Sequence, residues 1–254
     1  MKPLIEIKNL THTHYEKLTG DILGIKSVSF SINKGEFIII AGRNGSGKTT
    51  LLRHINGLMI PETGEVLVNG DNIQKNIIEI RKRIGMIFQD ADSQIVGETV
   101  FDEVSFGPEN LRWAREHIND KVEHTLKLLD LFKFAYRDPA TLSGGEKRRL
   151  AIAGVLVMEP DVILLDEPFS NLDYPSAANL LSLITSLNRK GITIIIATHD
   201  IEKVIDPATR MIILDKGEIK QDGVPCDLIK ITEQYGIREP CSSRFNLGIT
   251  RWAD

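Results

Sequence analysis

Five short apolar runs punctuate the chain: Phe37–Ile40, Val66–Val68, Val162–Leu165, Ile192–Ile196 and Met211–Leu214. They lack the polar alternation of a half-exposed strand and are rich in β-branched residues. Such runs predict strands covered on both faces, as in a parallel sheet flanked by helices. Longer mixed stretches lie among them, Lys48–Gly57, Ile118–Leu131, Glu146–Met158 and Pro175–Lys190, and read as helices. Strand and helix in alternation predict an α/β architecture with a mostly parallel sheet at its core. The first part of the chain follows a different pattern. Leu4–Leu10, Ile25–Ile32 before the turn Asn33-Lys34-Gly35, and Glu65–Asn69 before Gly70 read as an antiparallel β subdomain attached to that core. Residues 90–158 are more helical and predict a helical subdomain inserted into it. The expected organisation is one domain over residues 1–223, followed by a tail at 224–254 that contains Pro225 and Pro240. The chain shows no internal repeat, low-complexity stretch or long heptad array.

Composition narrows the classes. A chain of 254 residues has the length of one large domain, or of a domain carrying an insertion. It can bury roughly 70–75% of its unfolded surface, so no disulfide or metal staple is required. Lys and Arg total 31 against 35 Asp and Glu, a net charge of −4, which argues against broad electrostatic attachment to nucleic acid. Cys226 and Cys241 are too few for a disulfide framework and fit no metal spacing; they read as free thiols of a reducing cytosol. The longest apolar runs are five or six residues, whereas a bilayer span needs about 18–20. The start, Met-Lys-Pro-Leu-Ile-Glu, lacks the apolar stretch of a signal peptide. Any work at a membrane is therefore expected from outside it.

The sharpest chemical signal is Gly42-Arg43-Asn44-Gly45-Ser46-Gly47-Lys48-Thr49, which fits G-x-x-x-x-G-K-[ST]. An apolar strand precedes it and a helix beginning with Thr50 and Leu51 follows, the context a phosphate loop requires. Glycines let the backbone curl so that successive N–H groups point at one anion. The helix N-terminus adds partial positive charge. Lys48 is placed to reach the β- and γ-phosphates, and the Thr49 hydroxyl to coordinate Mg²⁺.

A second apolar strand, Val162–Leu165, delivers Asp166 and Glu167 to its carboxyl end. Ligand sites of open α/β sheets lie at that end. Asp166 is placed to hold Mg²⁺ through water, and Glu167 to polarise an attacking water. Gln89 follows the apolar stretch Ile84–Phe88 and is within reach of either the metal or the water. His199 ends the run Ile194–Thr198 and is placed to bond the γ-phosphate, although a histidine at a strand end is ordinarily satisfied by backbone. Leu142-Ser143-Gly144-Gly145-Glu146 precedes a helix, and Ser143 with Glu146 forms the S-x-x-E capping box. A capped, glycine-led helix start is a further anion site. One chain has one phosphate loop, so this second site needs another source of phosphate.

Gly42–Thr49, Gln89, Leu142–Glu146, Val162–Glu167, Ser170-Asn171-Leu172-Asp173 and His199 stand in the order found in ATP-binding cassette (ABC) ATPases. The chain resembles that family over about residues 4–224. The resemblance implies the P-loop NTPase ABC ATPase fold and two cassettes packed head to tail. Each ATP then lies between one subunit's phosphate loop, Gly42 to Thr50, and the other's Ser143, Gly144 and Gly145. Ser170 to Asp173 cross the interface. Lys48, Gln89, Glu167 and His199 carry hydrolysis, and Thr49, Gln89 and Asp166 hold Mg²⁺.

The stretch Gln89–Val96, with Glu98-Thr99-Val100 and Glu103–Asn110, is similar to the cobalt-type branch. That branch includes the ATPases of energy-coupling-factor importers for vitamins and for Co²⁺ or Ni²⁺. The branch implies a second cassette, identical or paralogous, and an integral-membrane subunit contacted by residues 90–112. It also implies indirect engagement of a substrate-binding membrane subunit, no nucleic acid, and a place on the cytoplasmic face of the cell membrane. Three departures stand out. Glu146 replaces the glutamine common at the fifth signature position. At the position of the adenine-stacking aromatic His14 aligns best, with Tyr15 adjacent, so that either stacks or neither does. The tail is short for members with long C-terminal dimerisation helices. The alternatives are the ATPase of another ABC transporter type, a soluble ABC-type ATPase of DNA repair or the ribosome, and a regulatory module that binds without hydrolysing. A single cassette without a coiled-coil insertion weighs against the soluble type, and Glu167 with His199 against the regulatory module.

Overall fold

The computed structural model describes residues 2–15, 22–245, 249–250 and 252. The chain begins with β1 (Ile5–Tyr15), β2 (Ile22–Ile32) and β3 (Phe37–Ala41), whose glycine loop opens α1 (Lys48–Ile55). Then come β4 (Thr63–Val68), β5 (Asp71–Asn72), α2 (Ile77–Arg83) and β6 (Ile84–Ile87). Three helices follow, α3 (Val100–Asn110), α4 (Arg115–Leu128) and α5 (Gly144–Leu156). The chain returns through β7 (Val162–Asp166), α6 (Tyr174–Arg189), β8 (Thr193–Thr198), β9 (Arg210–Asp215) and β10 (Glu218–Gly223), and closes with α7 (Pro225–Leu228) and α8 (Cys241–Arg244).

The strands form two sheets. One has the order β2-β1-β4-β5 and is antiparallel; the other has the order β10-β9-β3-β8-β7-β6. Every pair in the larger sheet is parallel except β10 with β9 at the edge. The unbroken apolar runs now have a physical reason. Successive side chains of a strand face opposite ways, and in β3 Phe37 and Ile39 enter one core while Ile38 and Ile40 enter the other. Ile163 and Leu165 of β7 and Ile194 and Ile196 of β8 join the first core, with Ile118, Val122 and Leu126 of α4. Val162, Leu164 and Ile195 join the second, with Leu51 and Leu52 of α1 and the inner face of the antiparallel sheet.

Because β3, β8, β7 and β6 are adjacent and parallel, their carboxyl ends lie along one edge of the sheet. That edge receives the glycine loop after β3, Asp166 and Glu167 after β7, His199 after β8, and Gln89 after β6. The all-helical stretch α3 to α5 departs from the same edge. Two features depart from the sequence reading. β1 runs on to Tyr15 rather than stopping near Leu10, through register breaks on both its partners. β10 and α2 were not among the expected elements: β10 is an edge strand of alternately exposed residues, and α2 is a seven-residue helix that buries only Ile80 of its three isoleucines. The tail is folded onto the body. Ile237 is 1% exposed, and the Trp252 ring lies 5.0 Å from that of Tyr174. Cys226 and Cys241 are free thiols.

Candidate functional site

The glycine loop is held by contacts that exclude side chains. The Gly42 amide donates to the Thr198 carbonyl at 3.3 Å. A Cβ on Gly42 would stand 2.4 Å from Ser46 Oγ and 2.5 Å from the Leu214 carbonyl oxygen. Gly47, which opens α1, has φ +102°, and a Cβ there would stand 2.6 Å from the Gly24 carbonyl oxygen. Lys48 folds back across the loop: its Nζ donates to Gly42 O at 2.8 Å and Arg43 O at 3.1 Å, and lies 3.5 Å from Glu167 Oε1. Burial pushes its ammonium below the usual lysine range, while Glu167 and Asp166 work to keep it charged.

Asp166 closes β7 and is 3% exposed. Its Oδ2 accepts from Thr49 Oγ1 at 2.7 Å, and its Oδ1 is buried without a protein partner. Burial pushes this carboxyl above the usual aspartate range, with Glu167 adding repulsion and Thr49 opposing. Glu167 takes a left-handed backbone, φ 45°, which is rare for a side chain of its size and concentrates at functional sites. Its amide donates to the Ala197 carbonyl at 2.8 Å, which holds that turn in place. The carboxylate is fully engaged. Oε2 accepts from Thr198 Oγ1 at 2.8 Å, and Oε1 accepts from the His199 amide at 3.0 Å and lies 2.8 Å from His199 Nδ1.

A cleft of about 300 Å³ opens over these groups. Its walls are Asn44, Gly45, Gly47, Lys48, Thr49 and Thr50 from the loop and α1, Asp166 and Glu167 from β7, Gln89 opposite them, and Gly24 from β2. Loop amides, the start of α1 and Lys48 make this an anion site. Four expected residues stand back from the wall. Gly42 supports the loop from behind. Ser46 is 4% exposed, and the Arg43 side chain lies against Gly236 in the tail. The His199 ring is half exposed beside Glu167 and likewise does not line the cleft. The side chains of His14 and Tyr15 lie outside the described residues.

Two contributors escaped the sequence. Gly24 was missed, although a glycine inside a strand pattern marks a close backbone approach; a Cβ there would meet the His12 carbonyl oxygen at 2.0 Å. Thr198, the hydroxyl that orients Glu167, had no signal beyond its place at a strand end.

The second glycine motif lies elsewhere. Ser143 and Glu146 form the expected capping box: Ser143 N donates to Glu146 Oε2 at 2.8 Å, and Glu146 N to Ser143 Oγ at 3.3 Å. Ser143 and Gly144 are exposed. Gly145 packs so closely on Ser176 that a Cβ would stand 2.8 Å from its Oγ. Asp173 caps α6, accepting from Ser176 N at 3.1 Å. Ser143, Gly144 and Asp173 are thus exposed, and half-buried Gly145 joins the two helix starts through Ser176, outside the chain's own cleft.

Comparison with known proteins places this arrangement. Residues 25–170 match the family model of the ABC transporter. The chain is 39% identical over 233 residues to the energy-coupling factor transporter ATP-binding protein EcfA of Methanocaldococcus jannaschii, covering 91% of this chain and 82% of that protein. It is 40% identical over 243 residues to EcfA1 of Clostridium novyi, covering 93% and 86%. Among solved structures it resembles cbiO1 from Clostridium perfringens, described as part of the ABC transporter complex cbiONQ. The TM-score is 0.80 at 34% identity, over 92% of this chain and 93% of that one. It also resembles the dimeric ABC transporter cassette MJ0796, with a TM-score of 0.76 at 32% identity over 87% and 98%.

Proposed function

The chain belongs to the ABC transporter family as an ATP-binding and ATP-hydrolysing subunit, and we propose that it works as half of a head-to-tail pair powering an energy-coupling-factor type importer. One observation carries this reading. The phosphate loop, Asp166 and Glu167 converge on one cleft, while Ser143, Gly144 and Asp173 are exposed, with Gly145 half-buried beside them, outside that cleft. A second copy or a paralogue would bring those residues to the cleft, which completes the enclosure of the nucleotide.

In the paired state Lys48 and the loop amides take up the ATP phosphates. Charged phosphate gives Lys48 an acceptor in place of the carbonyls of Gly42 and Arg43. Glu167, held by Thr198 and His199, accepts a proton from the attacking water. His199 shares an oxygen of Glu167, so this residue positions the carboxylate. The residues also fit Mg²⁺. Thr49 Oγ1, Asp166 and the Gln89 side chain are hard oxygen donors, and Asp166 Oδ1 is buried and awaits a partner. Bound there, Mg²⁺ would supply positive charge to offset the charge that develops on the phosphate. ATP favours closure because it gains the contacts of Ser143 to Gly145 only in the closed pair; loss of the γ-phosphate removes them.

The membrane partner has a site of its own. A groove of about 590 Å³ runs between α2, α3 and α5, with Ile78, Met86, Phe106 and Met158 among its walls. Ile78 is 67% exposed and Phe106 53%. Phe106 belongs to the 90–112 stretch, and the groove suits a short apolar segment of an integral-membrane subunit, with the substrate-binding subunit engaged through it. Among the described residues no helix is long and apolar enough to cross a membrane, in keeping with a peripheral cassette on the cytoplasmic face. The cargo is a vitamin or a metal ion such as Co²⁺ or Ni²⁺, selected by the membrane subunits.

The test is oligomeric state. Glu167→Gln with saturating ATP is expected to run as a pair on size-exclusion chromatography, and Ser143→Arg in the same background as a monomer that still binds ATP. Glu167→Gln remaining monomeric with ATP and its cognate cassette would sink the composite site. Phe106→Asp should abolish co-purification with the membrane subunit.

A further inference from the structure

Arg148 sits in α5, five residues after Ser143, and is 5% exposed. Burial works against its charge, and Asp90 and Asp92 partly offset that cost. Its Nη1 bonds no carboxylate. It donates instead to the Phe88 carbonyl at 2.9 Å and the Gln89 carbonyl at 2.8 Å. These two carbonyls flank the Cα of Gln89, so one guanidinium nitrogen clamps the backbone on both sides of the side chain that lines the cleft. The neighbouring residue strengthens the hold, since Lys147 Nζ bonds Asp92 Oδ2 at 2.9 Å. From the other side Gln94 closes the loop on β6, accepting from Phe88 N at 3.2 Å and donating to Met86 O at 3.1 Å. The Gln89 loop is therefore tied to α5 as firmly as to the strand that leads into it. A fully buried cation bonded only to carbonyls is costly unless its hydrogen bonds matter, because an unbranched apolar side chain would fill the same space.

We propose that Arg148 is a positioning residue for Gln89, carrying the position of the Ser143–Gly145 end of α5 to the wall of the chain's own cleft. This rests on the composite-site reading above: Ser143 to Gly145 meet the partner's nucleotide, Gln89 meets this chain's own, and one helix joins them. A cassette whose α5 has been drawn onto the partner's ATP presents Gln89 to its own ATP in the aligned position, and one that has not does not. The two sites of the pair are thereby coupled through a rigid element and a single side chain.

The first measurement needs no hydrolysis. Backbone hydrogen exchange over residues 86–94 is followed in the soluble chain, for the native sequence, Arg148→Met and Arg148→Lys. Arg148→Met is expected to raise exchange there about tenfold, the equivalent of one hydrogen bond of about 1.4 kcal/mol, with the β7 and β8 strands unchanged. Arg148→Lys, which can reach one carbonyl, should fall between, and it serves where Arg148→Met does not fold. The second measurement follows ATP hydrolysis with the membrane partner. Arg148→Met should lower kcat by up to about 100-fold, the scale of a 1 Å misplacement, and flatten the dependence of rate on ATP concentration. Adding it to Gln89→Ala should slow the enzyme no further. Unchanged exchange over 86–94, or losses at the two positions that multiply, would overturn the proposal. A native chain that neither pairs nor hydrolyses ATP would overturn the composite site instead, and the exchange result would still decide whether Arg148 holds Gln89.

Discussion

Lys48 is bonded to two carbonyls of its own loop and lies within ion-pair distance of Glu167, so its substitution removes a cation from the cleft and leaves a buried carboxylate less compensated. Lys48→Ala should weaken ATP binding about 10- to 100-fold by calorimetry, the worth of one charge-assisted hydrogen bond. Glu167→Gln keeps the shape and the Thr198 contact but loses the proposed base; ATP affinity should hold while phosphate release falls about 10²- to 10⁴-fold. His54 supplies a pH dependence. It is fully buried in α1, its Nε2 has no partner, and burial together with His12, whose ring lies 4.9 Å away, lowers its pKa to about 4. The unfolded chain, with an ordinary histidine near 6.5, binds this proton first. Stability from this residue is therefore complete above pH 6.5 and is lost as pH falls toward 4. Urea unfolding should show about 2 kcal/mol lost between pH 7 and pH 5 on this account, and a loss that persists in His54→Gln would refute the assignment. Lys48 and Thr49 were legible in sequence because they close a glycine motif between an apolar strand and a helix, and Asp166 and Glu167 because they stand at the end of an apolar strand and one residue beyond it. Gly24 and Thr198 were not, because each reaches the site from another strand, and no local pattern records that meeting.

At the scale of elements, the loop and the caps are the sensitive parts. Gly47 needs its positive φ and its bare Cα at once, since a Cβ would press on the Gly24 carbonyl. Gly47→Ala should cost about 1–3 kcal/mol of stability and also abolish ATP binding, as thermal melts and calorimetry on one sample can establish. Ser143→Ala separates the two roles of its residue. Loss of the cap should lower stability by about 1 kcal/mol, whereas a loss of hydrolysis far beyond that, with ATP affinity of the single cassette intact, belongs to the partner's site. The parallel strands of the large sheet were readable because both of their faces are covered, which leaves an unbroken apolar run. β10 and α2 were not, because an exposed edge strand leaves no apolar run and the seven residues of α2, Ile77, Ile78 and Ile80 among them, are too few to establish a helical period.

Across the whole molecule, the parallel order β3-β8-β7-β6 sets four strand ends side by side and so gathers residues as far apart in sequence as Lys48, Gln89, Glu167 and His199 along one edge. The tail folds back on this body: Gly236 lies against Arg43 of the phosphate loop, and Trp252 against Tyr174 and Lys203. The amino-acid sequence by itself determined the α/β architecture, the anion-binding loop, the acids at the strand end and the capped second glycine motif. Each of these is written in neighbouring residues, where backbone freedom, helix polarity and hydrophobic period act over a few positions. Only the tertiary structure decided that Glu167 is held by Thr198 and His199, that Gly24 forms a wall of the cleft, that Arg148 grips the backbone of Gln89, and that Ser143 lies outside the chain's own cleft. Those facts depend on the order in which strands pair and on which faces meet, and close packing between distant segments sets both.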